Sequence, residues 1–219
     1  TGVDITCWGS DLSGNDKLGD LVINILDKTP DLPRLRLSSI DVSEMDDGLL
    51  YVFKTNKRMM PHLHLSLQSG NNLILKRMKR RHSREQAIDL CKNLKAARPE
   101  LTFGADLIAG FPTESDTMFS DTIKLVDECD LTWLHIFPYS GRPNTPASRM
   151  PQVNQHEISK RSKVLRELAQ RKKVEHFAKL KDKTLSVLME SEFKGRAEDF
   201  TEIKTITPLK TGEIYPLEV

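Results

Sequence analysis

The stretch from His62 to Ser83, HLHLSLQSGNNLILKRMKRRHS, gathers the residues best suited to chemistry in this chain of 219. His62 and His64 stand two apart in an alternating run, so both point to one face of a strand. Two imidazoles on one face have a spacing open to metal ligation, and His82 and His135 are further donors. Spacing places no third ligand beside the pair. A satisfied polar strand face is the commoner arrangement, so no metal ligand is assigned. Gln68-Ser69-Gly70 follows as a polar turn. Leu73, Leu75 and Met78 then sit among Lys76, Arg77, Lys79, Arg80 and Arg81, the pattern of a helix with a basic face. Such a face is usually a solvated one.

Two further stretches carry polar groups at strand ends. GADLIAGFPTES puts Asp106 on a strand and Gly110 at its end, where a missing side chain allows close approach. Glu114 and Asp116 fall in the first turn of the helix that follows, where they suit its dipole. FPYSGRPNTPASRMP offers Tyr139, Arg142 and Arg149 in a loop stiffened by prolines. Its guanidinium groups could clamp phosphate or carboxylate. A stiff linker explains the loop equally well. No P-loop and no nucleophile elbow is present.

The elements that must position these residues alternate. Strand-like runs at Gly2–Cys7, Arg34–Ile40, His62–Leu67, Leu101–Ala109 and Thr132–Phe137 are separated by helical patterns at Leu18–Leu26, Leu49–Asn56, Arg84–Ala97 and Ser115–Asp127. This order predicts an α/β fold with a parallel sheet, open or curled as a partial (β/α) barrel. In a β/α barrel, motifs such as SSID, QSG, AGFPTE and FPYSGRP at strand C-termini lie on the active-site rim. Residues 1–150 form this unit. Residues 151–183 read as one long basic helix carrying Lys160, Arg161, Lys163, Arg166, Arg171, Lys172 and Lys173. Residues 184–219 read as a small β appendage, with turns at Gly195 and Gly212.

Composition narrows the class. There are 33 basic and 31 acidic side chains, for a net charge of +2, so charge alone names no partner. No apolar run of membrane-spanning length occurs. Cys7, Cys91 and Cys129 are scattered, which argues against a disulfide framework and for a reducing cytoplasm. Cys91 and Cys129 stand at apolar helical positions and read as buried thiols.

Taken in order, TGVDITCWG, RLRLSSID, HLHLSLQSGNNLILKRMKRRHS, ADLIAGFPTES and IFPYSGRPNTPASRMPQV resemble the radical S-adenosylmethionine (radical SAM) methylthiotransferases over nearly the whole chain. Departures include Trp8 for Tyr, Ser66 for Pro, Asn71 for Ser, His82 for Tyr, Thr113 for Gly and Asn144 for Gly. The resemblance implies a radical SAM barrel truncated at its N-terminus. It implies S-adenosylmethionine held by Gly2, Ser38, Gln68, Ser69, Arg80 and Gly110, and substrate met by Tyr139, Arg142 and Arg149. VLMESEFKGRAEDFTEIKT resembles the start of an RNA-binding TRAM domain, departing from it at Arg196, Ala197, Asp199 and Phe200.

RLRLSSID and SRMPQV are most similar to the enzymes that act on N6-threonylcarbamoyladenosine at position 37 of tRNA. Isopentenyladenosine and ribosomal-protein methylthiotransferases, or a non-catalytic tRNA-binding module, are the alternatives. The resemblance implies a tRNA anticodon loop and a reductant as partners. The CxxxCxxC loop that holds the family's 4Fe-4S cluster is absent, and the chain opens on Thr1. The expectation is therefore a fragment, inactive alone, whose parent holds the clusters. Its uncovered sheet edge is expected to self-associate.

Overall fold

The computed structural model describes residues 5–9, 11, 13–14 and 16–219. The alternation in His62–Gln68 becomes strand β1, which buries Leu63, Leu65 and Leu67 completely on one face. Each such leucine contributes roughly 2 kcal/mol by leaving water. Thr102–Ala109 (β2) and Leu131–Pro138 (β3) complete a parallel sheet in the order β1-β2-β3. Phe103, Ala105 and Leu107 of β2 join the same core, along with Cys91, Leu94, Leu125 and Val126 from the crossover helices. The opposite face carries His64, Asp106 and His135.

Local signals set the helices. Leu18–Lys28 (α1) and Asp47–Thr55 (α2) pack together before β1. Asn72–Arg77 (α3) and Arg84–Ala97 (α4) connect β1 to β2. Ser83 caps α4 reciprocally with Gln86, as a Ser three residues before Gln favours. Asp116–Glu128 (α5), capped by Ser115, leads into β3. Gln155–Leu180 (α6) then packs along β3 and β2.

After α6 the chain forms an antiparallel sheet, β4 (Thr184–Ser191), β5 (Lys194–Ala197), β6 (Glu202–Lys204) and β7 (Ile214–Glu218), in the order β6-β5-β4-β7. Its small core is Val187, Met189, Ala197 and Ile203. The β5–β6 loop docks on the N-terminal end of the parallel strands. Thr102 Oγ1 and Trp133 Nε1 donate to the Asp199 carbonyl at 2.7 and 3.3 Å. Phe200 stacks on His62 with 4.3 Å between ring centroids.

Several elements differ from the sequence expectation. Arg34–Ile40 makes only two parallel bridges, Leu35 to Met59 and Ile40 to Leu65, and no continuous ladder. Arg34 and Arg36, flanking Leu35, turn to appendage carbonyls, with Arg34 reaching Ser186 at 2.9 Å and Arg36 reaching Glu198 at 3.0 Å. Of the expected strand Gly2–Cys7, Ile5–Cys7 is a 3-10 turn and Gly2 lies outside the described residues. Gly195 stands inside β5 rather than at a turn.

The basic helix after Gly70 stops at Arg77, and Lys79 adopts a left-handed φ of 58°. Its basic face is not simply solvated: Arg77 donates to Thr113, Arg80 pairs with Asp41 and Arg81 pairs with Glu44. Arg161, grouped by sequence with the exposed cations of α6, is buried. It pairs with Glu114 at 2.9 Å and Asp116 at 2.8 Å.

Candidate functional site

At the C-terminal end of β1 the register with β2 slips between Leu65 and Gln68. Gln68 takes a left-handed φ of 67° there. An irregularity of this kind re-aims a side chain. Gln68 now borders an open cleft of about 620 Å³, with Ser39, Asp41, Ser66, Arg80 and Asp106 also in its wall. No partner for the Gln68 amide occurs among the described residues.

Arg80 is fixed in place. Its guanidinium donates to Asp41 at 3.2 Å and to the Ser66 carbonyl at 3.1 Å. Burial works against a charge on Asp41. The nearby His82 imidazole, 3.4 Å away, and hydrogen bonds from Ser43 override it and hold that carboxyl far below the usual range. Asp41 therefore stays anionic and Arg80 stays oriented across the physiological range. Burial likewise opposes ionisation of Asp106, and the neighbouring His64 and His135 keep its carboxyl below its ordinary value.

The sequence-chosen residues divide into groups. Gln68 and Arg80 line one cleft. Ser38 lines a separate apolar hollow beside Ile5, Trp8 and Leu18. Ser69 is buried, accepts from Asn71 N at 3.2 Å and faces Thr122 of α5, so it braces the turn. Gly110 has a φ of 77°, and a Cβ there would lie 2.5 Å from Ile158 of α6. Its N–H donates to Glu114 Oε2 at 2.9 Å, and burial raises the Glu114 pKa. Gly110 thus lets α6 close on the strand end.

Tyr139 continues from β3 and meets Phe111 edge to face at 5.4 Å. Arg142 and Arg149 are exposed in the following loop, and neither guanidinium has an ion-pair partner among the described residues. Gly2 lies outside the described residues.

Sequence reasoning did not find Asp41, whose place depends on the packing of the 34–44 segment against β1. Nor did it bring together His64, Asp106 and His135. Their donor atoms lie within 4.8 Å of one another, because three adjacent strands place them on one face. The signal available was the shared strand parity; the parallel register that aligns them is not written in any one segment.

S-adenosylmethionine fits the cleft chemically. A fixed guanidinium suits its carboxylate, while a free amide and hydroxyls suit its amino and ribose groups. An iron–sulfur cluster does not fit the described cysteines. Cys91 and Cys129 are buried together in the core, where their mutual contact and burial push the Cys91 thiol up, while Cys7 is exposed elsewhere. A second cavity, of about 510 Å³, lies at the opposite end between α6 and the appendage. Two of its lysines are already paired, Lys95 with Asp130 and Lys172 with Asp127.

Comparison with known proteins bears on this geometry. The radical SAM superfamily profile matches residues 4–126. The threonylcarbamoyladenosine tRNA methylthiotransferase MtaB of Rickettsia prowazekii is 45% identical over 219 residues, 100% of this chain and 52% of that protein. The Aquifex aeolicus protein of the same name is 36% identical over 93% of this chain and 49% of its own length. The tRNA-2-methylthio-N(6)-dimethylallyladenosine synthase of Shouchella clausii is 34% identical over 90% of this chain and 38% of its own length. This chain therefore spans about half the length, or less, of the curated relatives it matches. Among solved structures, the radical SAM enzyme coproporphyrinogen III oxidase (HemN) of Escherichia coli superposes with a TM-score of 0.56 at 15% identity. That match covers 70% of this chain and 37% of HemN.

Proposed function

Because this chain belongs to the radical SAM superfamily, we propose that it forms the greater part of the barrel of a tRNA methylthiotransferase. The reaction is insertion of a methylthio group at C2 of N6-threonylcarbamoyladenosine 37. The carrying observation is the 45% identity over all 219 residues to a relative named for that activity.

In this reading Gln68 and Arg80 bind S-adenosylmethionine in the cleft, and Gly2, Ser38, Ser69 and Gly110 are its further cofactor-binding residues. Bound S-adenosylmethionine supplies the radical chemistry once a reduced 4Fe-4S cluster is beside it. The cluster's thiolates come from outside this chain, and the 219 residues alone are inactive. Tyr139, Arg142 and Arg149 meet the substrate nucleotide. The two unpaired guanidinium groups are suited to phosphate.

Residues 1–150 would act as the partial barrel, 151–183 as the connecting helix and 184–219 as a TRAM-like module contacting the tRNA anticodon region. A cytoplasmic reductant completes the set of partners, and the uncovered sheet edge favours self-association of the isolated chain. No described helix is long and apolar enough to cross a membrane.

The test is nucleoside mass spectrometry. The intact gene product is expressed in a bacterium stripped of its own tRNA methylthiotransferases, and the tRNA is digested. A methylthio mass gain on threonylcarbamoyladenosine is expected. A gain on isopentenyladenosine instead would keep the chemistry and overturn the substrate. No gain on either, with soluble and cluster-loaded protein, would overturn the tRNA reading.

A further inference from the structure

We propose that His64, Asp106 and His135 form a binding site for a divalent cation of the zinc class on the open face of the parallel sheet. The three come from three neighbouring strands, with Asp106 and His135 in direct register across β2 and β3. His64 Nε2 lies 3.0 Å and His135 Nδ1 3.2 Å from the same oxygen, Asp106 Oδ1. All three ligand atoms fall within 4.8 Å of one another. Bonds of about 2.1 Å at a tetrahedral centre require ligand atoms about 3.4 Å apart. Two of the separations are already within a few tenths of an ångström of that. The remaining one, between the imidazoles, can close because the His135 side chain is 59% exposed.

The sheet also makes room for this arrangement. His64 stands opposite Gly104 in the β1–β2 register. A Cβ at Gly104 would come within 2.5 Å of His64 Nδ1, so any side chain there would push the imidazole out of place. Asp106 Oδ2 has no partner among the described residues, leaving the carboxylate a second oxygen to offer. Two imidazoles with one carboxylate select zinc, iron(II) or nickel over magnesium and calcium, which favour all-oxygen shells. Three protein ligands leave at least one position open. Asp106 also borders the cleft of Gln68 and Arg80, so the trio adjoins that cleft. A Lewis acid there would polarise an oxygen or nitrogen lone pair presented from the cleft. The inference rests on these three side chains and not on the reaction proposed above.

The rival arrangement is a metal-free trio in which one carboxylate oxygen accepts from both imidazoles. The two are separated by titrating the full chain, carrying no polyhistidine tag, with Zn2+ by calorimetry and with Co2+ by visible absorption. The expected result is one equivalent per chain, with a Co2+ spectrum that lacks thiolate charge-transfer bands. His135→Asn and Asp106→Asn should each weaken binding by about tenfold or more. His156→Asn, an exposed change on α6, should leave it unaltered. His135 is exposed enough that its variant will fold even where the Asp106 variant does not. No binding, thiolate bands, or binding that His135→Asn leaves intact would overturn the site.

Discussion

The two ends of the parallel sheet are both lined with polar side chains, yet the appendage packs over only one of them. At the N-terminal end the appendage supplies partners. Asp199 accepts from Thr102 and Trp133 through its carbonyl and pairs with His176 at 3.0 Å through its carboxylate. Phe200 stacks on His62 and has two guanidinium groups over its ring, Arg196 at 4.2 Å and Arg36 at 5.1 Å from the centroid. At the C-terminal end Gln68 has no partner among the described residues, and Arg80 is held facing an open cleft. Polarity marks both ends, but the appendage covers one and the other borders an open cleft.

Changes that test this contrast should differ in kind as well as size. The largest effect is expected at the buttress behind the rim. Arg161→Ala leaves the buried Glu114 carboxyl without its cationic partner and should cost about 3–5 kcal/mol in denaturant unfolding. Phe200→Ala attacks the plugged end. It should lower stability by about 2 kcal/mol, through lost stacking and burial. It should leave S-adenosylmethionine affinity of the intact gene product within about twofold.

His62 offers a pH test of the same end. Burial, with Arg36 beside it, lowers its pKa from 6.5 to about 3. The unfolded chain therefore binds more protons between those values, so stability should rise with pH across that window and level off above it. The slope from this group is at most about 1.4 kcal/mol per pH unit. His62→Leu should remove that part of the slope in unfolding curves taken from pH 4 to 7; an unchanged slope would mean that the ring is hydrated.

The smallest effect on stability belongs to the open end. Gln68→Ala should shift unfolding by less than about 0.5 kcal/mol. It should weaken S-adenosylmethionine binding by about tenfold in calorimetry on the intact gene product.

Sequence patterns went far because the fold's main signals are local. The alternation of His62–Leu67, the Ser83 cap and the long pattern that becomes α6 each announce themselves in one segment. What stayed hidden depends on several segments at once. Arg161 reads as one more surface cation until α5 brings Glu114 and Asp116 against it. The Arg34–Ile40 run alternates like a strand, but its arginines serve the appendage and its ladder is reduced to two bridges. Asp41 and the His64–Asp106–His135 group arise from packing and parallel register, which no single window encodes. Gln68 was reached through resemblance. Its left-handed backbone, which aims it, is a property of the strand's irregular end.

The contrast between the two ends is tested most directly by hydrogen–deuterium exchange on the intact gene product with and without S-adenosylmethionine. Added protection is expected at residues 66–70, 79–81 and 106–110, and none at 197–201. Protection concentrated at 197–201, or none at the rim under saturating ligand, would contradict it.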